Sequence, residues 1–308
     1  MADNRTAPDR PSGGFPHLDA GGRLVGALAA RPKLPVLTLV LAVSGLAWWF
    51  LVRMAGALAA LSGSEALGPG MTFVSKYLPV APDSLAARLA DICLSSGVSV
   101  GGASGVSEAL VLVVMWFAMA AAMMLPTAAP MIRTYAEIAD TAGAKSEPVV
   151  HVLVLVAGYL AVWALAAFGF AAVQITIAKI TGTLASTPVS NGIAGIVLLC
   201  AGIYQFLPLK HACLEKCRNP FTILFSRWKR TPAGVFRLGV DQGLYCLGCC
   251  WALMLVMLAL GTMNIVWMAA LTLFTFVEKS GTGPVTSRIA GVIVSLWGAA
   301  LVAASVTA

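Results

Sequence analysis

Apolar residues in this chain come in long unbroken runs, without the short alternation of a half-buried strand or the one-sided stripe of a water-exposed helix. Such runs cover 34–52, 109–125, 149–172, 193–209 and 289–304, and no charged residue lies between Asp241 and Glu278. Crossing a ~30 Å hydrocarbon core takes about 20 apolar residues in a helix, so each of the five runs predicts one crossing. The 36 positions between Asp241 and Glu278 would extend ~54 Å as a single helix. That run must therefore fold back, and Gly261, Thr262, Met263 and Asn264 supply the turn. The expected fold is an all-α, polytopic transmembrane helix bundle of about seven helices, the sixth, near 262–277, being the shortest.

Composition narrows the class. Hydrophobic residues make up 59% of the 308 and charged ones 11%, against about 45–50% and 25% in soluble domains, which excludes a soluble globular protein. Seven cysteines are too few for a secreted disulfide scaffold. The net charge of +7 would suit nucleic acid, but the basic residues sit in loops beside apolar runs, where they set orientation and meet anionic lipid. No nucleic-acid partner is expected. With the N-terminus inside, inner segments hold 16 of the 20 Lys and Arg, and only Arg53, Lys76, Arg88 and Lys179 fall outside. This positive-inside bias places the N-terminus inside and the C-terminus outside a cell membrane, the inner membrane in a bacterium with two. Residues 1–33 read as a disordered basic cytoplasmic arm, 34–107 as the first helix plus an external segment, and 108–305 as a six-helix membrane domain. Within the external segment, Pro82, Asp83 and Ser84 before Leu85, Leu89, Ile92 and Cys93 predict a short helix on the membrane surface.

Candidate chemistry lies in sulfur. Met115, Met119 and Met123 recur every four residues along one face of the second helix, with Met124 beside them. Pro126 and Pro130 follow and are expected to break that helix, freeing carbonyls that need new partners. Cys246, Cys249 and Cys250 share one face of the fifth helix, and Met254 and Met257 continue the line outward. Cys213 and Cys217 form a further pair just after the fourth helix, two residues beyond His211. Thiolates and thioethers are soft donors that favour Cu(I), and thiolates also suit Zn(II). Methionine equally fills gaps between packed helices, and buried cysteine packs as a small apolar residue. Glu278 reads either as an intramembrane functional acid or as the partner of its neighbour Lys279. His151, at the start of the third helix, reads as an interfacial side chain. The chain holds no G-x-S-x-G, phosphate loop or H-E-x-x-H, so an enzyme is not the expectation.

The stretches VMWFAMAAAMMLPTAAPM, YQFLPLKHACLEKCRNP and GLYCLGCCWALM, with GTMN and a later VEK, resemble the family of predicted metal-binding integral membrane proteins, domain of unknown function 2182. The resemblance covers about 109–304 and implies a metal-binding role for Met115, Met119, Met123, Met124, Cys213, Cys217, Cys246, Cys249 and Cys250. The expected function is a membrane protein that binds a soft metal, Cu(I) before Zn(II), near its cytoplasmic side. It would transport that metal or exchange it with a metal-donating or metal-accepting protein. Two alternatives stand beside it. One is a membrane thiol-disulfide oxidoreductase exchanging Cys246 and Cys249 with Cys213 and Cys217. The other is a structural or assembly subunit whose sulfurs only pack.

Overall fold

The computed structural model describes residues 33–62, 67, 70–78, 104–144, 150–184, 187–219, 224, 231–281 and 283–307. The arm before residue 33, the surface helix expected at 82–93 and Cys93 lie outside them. Every regular element among the described residues is helical: α1 (Lys33–Ser62), α2 (Met71–Val74), α3 (Ser104–Ala144), α4 (Val152–Leu184), α5 (Thr187–Tyr204), α6 (Pro208–Arg218), α7 (Pro232–Leu260), α8 (Ile265–Ser280) and α9 (Val285–Thr307). Helices α1, α3, α4, α7 and α9 are long and apolar enough to cross a membrane. A sixth crossing results if Gly192–Tyr204 and Pro208–Arg218, bent by 64° about a short break, count as one span. The chain is thus an all-α multi-pass membrane bundle. The helix expected at 262–277 is α8, whose 16 residues extend only ~24 Å, less than a ~30 Å core.

Local chemistry explains the ends near the site. Thr231 caps α7 by accepting from the Gly234 amide at 3.2 Å, and Pro232 sits in its first turn, where its missing N–H costs nothing. The fold-back falls at the expected tetrapeptide: α7 ends at Leu260, Gly261 takes φ +100°, and the buried Asn264 caps α8 by accepting from the Trp267 amide at 3.2 Å.

Two expectations are corrected. Pro126 and Pro130 lie inside α3, which runs on to Ala144. Lacking an N–H, Pro126 cannot bond to the carbonyl four residues back. That carbonyl, of Ala122, instead accepts from Ser44 Oγ and Trp48 Nε1 of α1, each at 3.0 Å. A neighbouring helix thus supplies the donors a membrane interior lacks. The fourth predicted helix, expected to end within 204–210, does stop there, but it bends into a further helix that was not expected. α5 stops at Tyr204, Gln205 and Phe206 form a turn, and Pro208 starts α6. Cys213 and Cys217 therefore lie on a helix of their own.

Apolarity cannot drive helices together in lipid, so close packing of small residues does it. A Cβ added at Gly239 would run into the carbonyl of Leu155, and one at Gly158 into that of Phe236, which brings α4 and α7 backbone to backbone. Gly195 and Gly298 do the same for α5 and α9. α1 packs on α3, α3 on α4, and α7 on α4, α5 and α6, with α8 set against α3 and α7. Leu46, Leu165 and Leu296 point outward as lipid-facing residues.

Candidate metal centre

Three helices, α3, α6 and α7, bring sulfur to one level of the bundle. On α7 the spacing of Cys246, Cys249 and Cys250 puts all three thiols on the buried face. Cys249 and Cys250 turn back on their own helix, reaching the Cys246 carbonyl at 3.1 and 2.8 Å. From α6, Cys217 Sγ lies 3.9 Å from Cys249 Sγ and lines a small cavity together with Cys246. From α3, Met124 Sδ lies 3.6 Å from Cys250 Sγ. Cys213 approaches α7 over Gly248, where a Cβ would lie 2.7 Å from its Sγ. The glycine of CLGCC therefore makes room for the α6 thiol.

Three polar side chains that sequence spacing did not single out complete the group. Lys279, on α8, places Nζ 3.1 Å from Cys246 Sγ, 2.7 Å from Thr127 Oγ1 and 4.0 Å from Met124 Sδ. Tyr159, buried on α4, sets its hydroxyl 3.1 Å from both Cys246 Sγ and the Met124 carbonyl. Thr127 also donates to that carbonyl at 2.8 Å. Tyr159 sits inside an apolar run that reads only as a crossing. The one available signal was Lys279, the first cation after a long charge-free stretch.

Glu278 is not the partner of Lys279. It is buried against Lys210, Nζ to Oε1 2.6 Å, and accepts from Ser287 Oγ at 2.5 Å, while Lys210 also donates to Gln205. Arg218 donates to the Glu278 carbonyl at 2.6 and 2.9 Å and to that of Gly283 at 3.1 Å. Both ends of α6 are thereby tied to the end of α8.

Two spaces adjoin the group. A cavity of about 20 Å³, lined by Thr127, Met131, Tyr159, Cys217, Cys246 and Lys279, has room for one water or ion. A cleft of about 550 Å³, lined in part by His211, Glu215, Arg218, Lys279 and Arg288, lies beyond it, and Lys279 borders both. Among the described residues no three His, Cys, Asp or Glu are set to hold a metal together.

The remaining sequence-selected methionines share its apolar core and not its polar contacts. Met115, Met119 and Met123 are buried farther along α3, Met115 being nine residues or ~13.5 Å from Met124. Cys200 is exposed. The exposed His151 accepts from the Leu153 amide at 3.2 Å and so helps start α4.

Residues 113–301 match the family model PpoB2, described as a copper chaperone. The chain belongs to this family. No curated protein and no solved structure matches it. The copper-chaperone match bears out membership of a metal-binding family, though not the particular domain of unknown function 2182. It begins two residues before Met115, takes in every member of the sulfur group and leaves out α1. A multi-pass membrane protein of a copper-handling family, with cysteines and methionines gathered at one level, is the result.

Proposed function

We propose that this member of the copper-chaperone family binds Cu(I) on its cytoplasmic side, with Cys217 and Cys249 as the first pair of ligands, and passes it to a partner protein. Cys246, Cys250, Cys213 and Met124 then serve as neighbouring donors. The observation that carries this reading is the 3.9 Å approach of two thiols from different helices. A linear sulfur–metal–sulfur unit with ~2.3 Å bonds spans about 4.6 Å, so a shift of well under 1 Å admits an ion. Two-coordination by soft donors suits Cu(I). Zn(II), the second choice, asks for four ligands in a tetrahedron, where a close thiol pair already serves Cu(I). In anaerobic competition with a Cu(I) chelator, Cys217→Ser and Cys249→Ser should each lose most of the bound copper, because a hydroxyl is too hard to replace the thiolate. Cys200→Ser should lose none. Equal retention by all three variants would remove the site.

The same approach favours one second reading, a thiol-disulfide oxidoreductase whose reactive pair is Cys217 and Cys249. Acid-quenched alkylation would then find that pair cycling in cells, with Cys249→Ser trapping a mixed disulfide. Thiols that stay reduced, with no adduct, leave copper binding in possession.

A further inference from the structure

Sequence spacing picked out methionines on α3 and α7, but burial extends the pattern. Eleven methionines are described, on α1, α2, α3, α7, α8 and the turn between the last two, and each is 3% exposed or less. The outward-facing large apolar residues are Leu, Val, Ile, Phe, Trp and Tyr, with no Met among those described. Met is apolar enough to face lipid, so apolarity alone does not require every one of them to lie inside.

Helical rise sets the heights. Taking the Met124 and Cys250 contact as the base, Met254 and Met257 stand ~6 and ~10.5 Å above it on α7, and Met119 and Met115 ~7.5 and ~13.5 Å above it on α3. α8 runs from the far end down to Lys279, which puts Met268 ~16.5 Å above the Lys279 level. Met71 reaches the same end, because a Cβ at the preceding Gly70 would lie 3.7 Å from Val266. Met263 lies in the turn that joins α7 to α8 there. Met71, Met263 and Met268 are 0, 2 and 0% exposed and belong to one contiguous apolar core with the methionines below them.

We propose that Met71, Met263 and Met268 form a second soft-cation site, made of thioethers alone, at the end of the bundle opposite the cysteines. Its ligand class is a monovalent soft cation, Cu(I) or its redox-inert mimic Ag(I), since neutral thioethers bind such ions without releasing a proton. The choice of cation rests on the copper reading above; the site itself does not need the thiols. A thioether set holds the ion less tightly than thiolates, and the stacked methionines join the two ends by short steps, as multi-site passage requires.

The test is anaerobic Ag(I) titration of the full chain in detergent or nanodiscs. Unmodified protein should take a thiol-dependent ion and a second, weaker one. Replacing Cys213, Cys217, Cys246, Cys249 and Cys250 by Ser should abolish the first and keep the second. Met71→Leu, Met263→Leu and Met268→Leu together should do the reverse, and these near-isosteric swaps should fold. Methyl-labelled methionine spectra of the unmodified chain provide a reading free of substitutions: Ag(I) should move the Met71, Met263 and Met268 signals. Loss of all binding in the serine variant, unchanged stoichiometry in the leucine variant, or unmoved signals would overturn the outer site and leave the thiol site untouched. Binding that the serine changes leave unaltered and that the leucine changes abolish would overturn the thiol reading alone.

Discussion

Lys210 and Glu278 are buried together, their ammonium and carboxylate 2.6 Å apart, and the pair is tied into Gln205 and Ser287. Two charges in such a place cost several kcal/mol each to desolvate, and losing one strands the other. Lys210→Met alone, or Glu278→Leu alone, should therefore destabilise the protein by about 3–5 kcal/mol. The double variant should recover most of that loss, as read by thermal unfolding in detergent. Recovery of stability without recovery of copper affinity would mark the pair as a device that positions α6 and its thiols. The sulfur residues themselves were legible, because Cys246, Cys249 and Cys250 follow one helix face by spacing alone. Lys279 and Tyr159 were not, since each meets Cys246 and Met124 across a helix boundary that local periodicity does not record, and Thr127 joins the group across such a boundary only through Lys279. Glu278 looked like its neighbour's partner for the same reason, whereas successive residues on a helix point apart.

At the level of elements, the fate of α3 was decided by α1. Pro126 removes a donor, and the sequence alone gives the ordinary consequence, a broken helix. Ser44 and Trp48 repair the ladder from outside, and nothing in the local sequence of α3 announces them. Ser44→Ala combined with Trp48→Phe leaves the Ala122 carbonyl bare in an apolar medium and should cost about 1–3 kcal/mol. In a Pro126→Ala background the restored amide can take that carbonyl, so the same two changes should cost much less. Thermal unfolding of the four proteins closes the cycle, and additive losses would detach the carbonyl from the account. The opposite surprise, the bend between α5 and α6, was hidden because apolar residues continue through Leu207 into Pro208 and Leu209. A run of apolar residues reports transfer into lipid, not direction. The turn at Gly261 was readable because length forbade a straight helix there.

For the whole molecule, the charge bias predicts that Cys213 and Cys217 face the cytoplasm. A membrane-impermeant maleimide applied to intact spheroplasts should leave both unlabelled, and labelling should follow when the membrane is opened. Ready labelling from outside would invert the bundle and with it the side from which copper is loaded. Lys279 gives the assembly a further property. Its ammonium already stands among Cys246, Thr127 and Met124, with no carboxylate paired to it among the described residues. The interior thus holds a fixed cation before any cargo arrives. On the copper reading, Cu(I) between two thiolates is a unit of net charge −1, because each thiol gives up its proton on binding. A counter-charge for that anionic unit already stands beside it, so what loading expels is protons, while the balancing cation stays behind on a tether of the chain's own.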